Sequence, residues 1–383
     1  MPNYSQLRMK TTSNQFQQSR YFDNLDGLRA LAIFGVLLCH APRFSQWSDT
    51  FQENGRYGVS LFFVISGLLI SSLLIRERAT NGTVNLLNFY IRRGLRLYPL
   101  YYSMLALECV MVFGLGFYKP ENQVLFREKL PSYLFYYSNL LPTATEGPFF
   151  YAWSLAVEEQ FYLIFALAAK WLKLRTIMIV SFVLLAVKVA YFNLTWGTPN
   201  FDATVFRLAF SYQEPILIGV ILGVLAHDER SFGLLQRFIG NRGLGAASAV
   251  GLVALWALVP LHHKSGLVTL LAYIMMGVVV WQGSVGAPWP IIGGKALVFV
   301  GRISYGVYLF HMLCKNLVNK LPVVHESPVA VFVLYVPLTL VIASLSYWYF
   351  ESPLLKLKSR FQPQHGNIER ERLATAPKAL LNT

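Results

Sequence analysis

Ten apolar stretches, each long enough to cross a bilayer, set the terms for this chain: residues 26–44, 57–75, 97–117, 150–170, 174–195, 207–226, 243–261, 266–284, 296–317 and 329–350. A hydrocarbon core about 30 Å thick takes about 20 residues of helix to cross, and a spanning segment must pair its own backbone N–H and C=O groups. The pattern predicts an all-α, polytopic integral membrane protein of about ten transmembrane helices. Composition agrees, since 55% of the residues are hydrophobic, 14% are charged and the mean hydropathy is +0.45. Such a chain is poor material for a soluble globule.

The net charge of +14 follows the topology. Lys and Arg gather in the N-terminal tail, the 76–96, 170–175 and 228–242 loops and the segment after Glu351. The positive-inside rule places these segments, and both termini, in the cytoplasm. The basic residues lie between apolar spans rather than on one soluble module, so no nucleic-acid partner is expected. The first stretch is long and interrupted by Arg29, unlike a cleavable signal. Three regions follow: a cytoplasmic tail over 1–24, a membrane domain over 25–356 and a polar, disordered cytoplasmic tail over 357–383. Cys39, Cys109 and Cys314 fall in apolar segments without CxxC or Cys/His spacing, and His227, His262, His263, His325 and His365 form no ligand pattern. Neither a disulfide framework nor a metal site is indicated. Cys39 and His40 are adjacent and point about 100° apart on a helix, which argues against a thiolate/imidazole pair.

Within the first stretch, DGLRALAIFGVLLCHAP, Arg29 and His40 are eleven residues apart. That is three helical turns plus about 20°, so both side chains emerge on one face about 16 Å apart along the axis. Ionisable groups inside a membrane cost about 2.5 to 3.5 kcal/mol each and usually have a use; an arginine at a helix end also serves as an interface anchor. Asp26 is expected to cap this helix. In the second stretch Ser60, Gly67 and Ser71 share a face suited to close helix packing.

In NFYIRRGLRLYPLYY, Arg92, Arg93 and Arg96 stand at i, i+1 and i+4. Guanidinium groups at this spacing can address one polyanion together, as a cytoplasmic clamp for the phosphates of a soluble donor. The same cluster could instead set topology against anionic lipid. In FYAWSLAVEEQFYLIF, Ser154, Glu158 and Tyr162 share a helix face. Glu158 either orients His40 or pairs with an arginine. In FVGRISYGVYLFHMLCKNL, Tyr308 and His311 are i, i+3 neighbours, supporting residues or packing. The aromatics Tyr133, Tyr136, Tyr137, Phe149, Phe150 and Tyr151 could stack on sugars or form an interfacial belt.

Taken in order, LDGLRALAIFGVLLCH, GVSLFFVISGLLI, FYIRRGLRLYPLYY, WSLAVEEQFYLI, ISYGVYLFH and YFESPLLK resemble the acyltransferase-3 family of integral membrane acyltransferases, which includes O-acetylases of bacterial surface polysaccharides. The resemblance covers residues 25–356. The family's Arg-x10-His pattern falls on Arg29 and His40, and its Arg-x-x-Arg pattern on Arg93 and Arg96. It implies a cytoplasmic acyl-CoA donor, usually acetyl-CoA, with no permanently bound cofactor. It implies an acceptor hydroxyl on a glycan or lipid-linked saccharide beyond the outer leaflet, in a bacterial inner membrane. Some members carry a further extracytoplasmic domain, for which this sequence is too short. The expected catalytic residues are His40, as general base, and Glu158; Arg29, Arg92, Arg93 and Arg96 would hold the donor, with Ser154, Tyr308 and His311 in support. The alternatives are a proton-coupled secondary transporter using the same Arg, His and Glu residues, a non-catalytic scaffold, and acyl transfer to a macrolide- or lipid-type small molecule. Oligomeric state is not legible.

Overall fold

A computed structural model describes residues 12–361 except 20–21, 45–48, 143–145, 196–212, 260–265, 286–288, 290 and 323. The expected C-terminal tail over 357–383 and the turn holding His262 and His263 lie largely or wholly outside the described residues.

The described residues are helical, without strands. In chain order the helices are α1 (Ser13–Gln18), α2 (Asp23–His40), α3 (Asp49–Glu53), α4 (Tyr57–Asn81), α5 (Leu86–Cys109), α6 (Pro120–Leu134), α7 (Ala152–Trp171), α8 (Leu174–Thr195), α9 (Glu214–Leu225), α10 (Glu229–Phe238), α11 (Arg242–Leu258), α12 (Gly266–Ser284), α13 (Lys295–Val318), α14 (Pro328–Ser346) and α15 (Ser352–Leu357). Each apolar stretch read from the sequence holds one of them. Among the described residues, six segments qualify as membrane spans by length and hydropathy alone, and a seventh if α10 and α11, bent by 66°, form one broken span. Helices α2 and α7 are not among these segments because each carries charge, Asp26 and Arg29 in the first and Glu158 and Glu159 in the second.

Small residues bring α4 against α9. A Cβ added at Gly67 would lie 2.3 Å from the Ile216 carbonyl oxygen, and one at Gly219 2.3 Å from that of Val64. The expected packing role of the Gly67 face is therefore met by backbone contact. Helix α2 lies against α4 and α13, and its side chains Ile33, Val36 and Leu37 share a core with Tyr101, Tyr151, Val307 and Tyr335.

At three places the structure corrects or refines the sequence reading. Asp26 does not cap α2: the helix begins at Asp23 after Phe22, which makes no side-chain cap, and Asp26 lies inside it. Helix α5 begins at Leu86, where the Asn85 side chain accepts from the Asn88 N–H at 3.0 Å, so Arg92, Arg93 and Arg96 stand within one helix, as their spacing suggests. Residues 13–18, assigned to a tail, form α1, capped by Thr12, and bury Phe16 to 1% exposure against Phe232 and Trp281. One aromatic side chain gave no periodic signal to read.

Candidate active site

Helices α2, α4, α5, α7 and α13, with Tyr347, Glu351 and Leu355 from the segment after α14, line an open cavity of about 450 Å³. Arg29 comes from α2, Arg93 and Arg96 from α5, and Arg302 from α13; Asp26, Glu158 and Glu351 supply the carboxylates. Arg29 is 2.7 Å from Asp26, one turn back on its own helix, and Arg302 is 3.8 Å from the same carboxylate. Among the described residues, neither Arg93 nor Arg96 is within ion-pair distance of a carboxylate. The Arg93 guanidinium instead lies over the ring of Tyr162, 5.2 Å from its centroid. A partly buried guanidinium without a counter-ion favours an anionic ligand, because the ligand supplies the missing charge and hydrogen-bond acceptors.

Ser154, Glu158 and Tyr162, which share a face in the sequence, all line this cavity. Glu158 accepts hydrogen bonds from Ser66 and Tyr162. It lines the cavity with Arg29, Arg93, Arg96 and Arg302, and among the described residues it is within ion-pair distance of none of them and makes no hydrogen bond to His40. Tyr308 follows Arg302 along α13 by about 9 Å of helix; its hydroxyl is 2.5 Å from that of Ser154 and 2.8 Å from the Tyr151 carbonyl oxygen. The Ser154 hydroxyl is 3.3 Å from the same carbonyl oxygen, so each hydroxyl has two acceptors within reach and either can donate to the other.

His40 lies beyond this hydroxyl pair, outside the cavity lining. It is the last residue of α2, with Nδ1 3.0 Å from the Val36 carbonyl oxygen. A carbonyl can only accept, so Nδ1 carries the proton and Nε2 keeps its lone pair. Its ring packs 5.5 Å from Phe150 and 4.9 Å from His311, centroid to centroid. His311 is 0% exposed.

Arg92, grouped with its neighbours in the sequence, is turned away. It is 6% exposed, 2.9 Å from Glu77, and donates to the Phe361 carbonyl at 2.7 Å. Glu77 in turn accepts from the Asn85 N–H at 2.8 Å, so Arg92 ties the α4–α5 turn to the C-terminal segment and does not line the cavity. Of the aromatics offered for sugar stacking, Tyr133, Phe149 and Tyr151 are core residues at 0%, 0% and 1% exposure. Sequence reasoning missed Ser66 and Glu351 as cavity residues and gave Arg302, in the same apolar stretch as Tyr308 and His311, no role. Arg302 could have been found by the rule that flagged Arg29, a charge inside an apolar helix; Ser66 carries no such signal.

The fold and site define a helical membrane protein with apolar, membrane-length segments and an open cavity lined by guanidinium groups, carboxylates and hydroxyls. The family model described as an acyltransferase domain matches residues 22–348, and the chain belongs to this acyltransferase-3 family. Among similar proteins are two named O-acetyltransferase OatA, from Staphylococcus aureus strain NCTC 8325 / PS 47 and strain COL. Each is 29% identical over 366 residues, covering 88% of this chain and 58% of the relative. The chain thus spans little more than half the length of these relatives. No solved structure matches it.

Proposed function

We propose that this protein is a membrane O-acyltransferase that moves an acyl group, acetyl in the simplest case, from cytoplasmic acyl-CoA to a hydroxyl of a cell-envelope glycan, with His40 as general base. In this reading all ten apolar helices span a bacterial inner membrane with both termini in the cytoplasm, and the arginine end of the cavity faces inward. The observation that carries the reading is the cavity itself, lined by Arg29, Arg93, Arg96 and Arg302 together with the Ser154/Tyr308 hydroxyl pair.

The arginines hold the phosphates of coenzyme A, as bidentate guanidinium groups do. The pantetheine arm, about 15–20 Å long from ordinary bond lengths, runs toward the hydroxyl pair. That length is on the scale of the rise from Arg29 to His40, about 16 Å. The acceptor hydroxyl gives its proton to His40 Nε2 while its oxygen attacks the thioester carbonyl. The carbon–sulfur bond then breaks, and coenzyme A leaves as the thiol with the proton returned from His40. Direct transfer is favoured over a Ser154 acyl-enzyme because the Ser154 hydroxyl is bonded to Tyr308 rather than to a histidine.

The test is transfer of label from radiolabelled acetyl-CoA to envelope glycan in membranes carrying the intact protein, His40→Ala, or Arg93→Ala with Arg96→Ala. Label above empty membranes, lost in both variants at equal protein level, is expected. Label from His40→Ala equal to that of the intact protein would remove His40 as base. A background signal from the intact protein with acetyl-CoA and longer acyl-CoA donors would remove the enzyme reading.

A further inference from the structure

The base in this mechanism becomes an imidazolium, and Glu158, the carboxylate that the sequence offered to hold it, is committed to Ser66 and Tyr162. The charged groups that act on His40 are Lys315 and Arg56, both cations. Something else has to fix the ring and share its charge.

We propose that His311 is the positioning residue for His40, holding it through the lone pair of a neutral imidazole where many catalytic histidines use a carboxylate. The inference rests on the O-acyltransferase reading above. It follows from counting protons. His311 Nδ1 is 2.5 Å from the Tyr308 carbonyl oxygen, one turn back on α13. The carbonyl only accepts, so Nδ1 carries the proton of a neutral ring and Nε2 carries the lone pair. That Nε2 is 3.3 Å from His40 Nδ1. The His40 Nδ1–H, directed at the Val36 carbonyl, therefore also has His311 Nε2 as an acceptor. One proton lies between two acceptors from different helices, which fixes the ring in rotation as well as in tautomer.

The arrangement points His40's remaining nitrogen, Nε2, outward from this contact as the basic site. When Nε2 takes the acceptor's proton, the His40 Nδ1–H becomes a charged donor, and its bond to His311 strengthens as the charge develops. That is support given more to the transition state than to the resting enzyme. His311 itself is held from three sides: by the Tyr308 carbonyl, by the Tyr151 ring at 5.1 Å and by the Tyr308 ring at 5.5 Å. Its own helix thus supplies the rigidity that the role needs. The roll of α2 against α13 brings the two histidines together although they are 271 residues apart in sequence.

The experiment uses the full chain in proteoliposomes or native membranes, as wild type, His311→Leu and His311→Gln. Two measurements are made on each: 15N spectra of labelled histidines, and acetyl transfer from labelled acetyl-CoA to envelope glycan. In the wild type, His40 is expected protonated at Nδ1 and unprotonated at Nε2. Leucine, which keeps bulk but cannot accept, is expected to lower kcat by ten- to a hundredfold, the scale of one hydrogen bond to a charged group, with KM for acetyl-CoA within about twofold. Glutamine, whose amide oxygen can accept near the Nε2 position, is expected to recover most of that loss. A His311→Leu chain with wild-type kcat, equal losses for Leu and Gln, or a wild-type His40 protonated at Nε2 would each overturn the inference. If the wild type shows the expected tautomer but transfers nothing, the acyltransferase reading falls, and with it the role given to His311; the pattern across variants separates the two failures.

Discussion

The two ends of the α2–α13 pair solve opposite electrostatic problems. At one end Asp26 lies between Arg29 and Arg302, with Arg93 and Arg96 opposite, so charge is concentrated and partly uncompensated around a cavity. At the other, two imidazoles meet at 3.3 Å, closed in by Phe150, Tyr151 and Tyr308, with backbone carbonyls as their further partners. In the proposed mechanism the contrast separates grip from chemistry. Guanidinium groups bind phosphates well but stay protonated at any working pH and make poor bases, whereas a histidine can give and take a proton near neutrality. Between the ends stands the Ser154/Tyr308 hydroxyl pair.

The sharpest way to break this division is His40→Ala, which should lower kcat by about a thousandfold, the middle of the range for a lost general base, with little change in KM for acyl-CoA; steady-state transfer assays check it. Arg93→Ala with Arg96→Ala should act the other way. It should raise KM for acyl-CoA by about ten- to a hundredfold, the scale of charge-assisted hydrogen bonds, with kcat at saturating donor much less affected. Arg92→Ala probes the edge of the cluster. It leaves Glu77 buried without its partner, a loss of about 3 to 5 kcal/mol for breaking a buried pair, so thermal unfolding in detergent should begin well below that of the wild type while the donor KM of the folded fraction stays unchanged. Ser154→Ala should have the smallest effect, about threefold or less on kcat, in line with loss of one neutral hydrogen bond; abolished transfer would point to an acyl-serine.

The sequence made the helices legible because apolar periods of membrane length have few other uses. It made Arg29, Arg93, Arg96 and His40 legible because charge inside such helices is costly. It could not say which neighbours these groups meet. Arg92 and Arg93 are adjacent on one helix and alike in type, yet one is spent on Glu77 and the other faces the cavity. Glu158 is on the same face as Ser154 and Tyr162, as its spacing predicts, but the rotation of α7 turns that face to the arginines and not to His40. The His40–His311 contact was least visible, since it depends on how α2 and α13 roll against each other and neither residue pattern encodes that roll.

The claim that binding and proton transfer occupy opposite ends is tested most directly by measuring acetyl-CoA binding, without turnover, to purified protein carrying His40→Ala or Arg93→Ala with Arg96→Ala. The account predicts wild-type affinity for the first and a loss of at least about tenfold for the second, by the hydrogen-bond scale used above. Weak binding by His40→Ala, or wild-type binding by the arginine double variant, would contradict it.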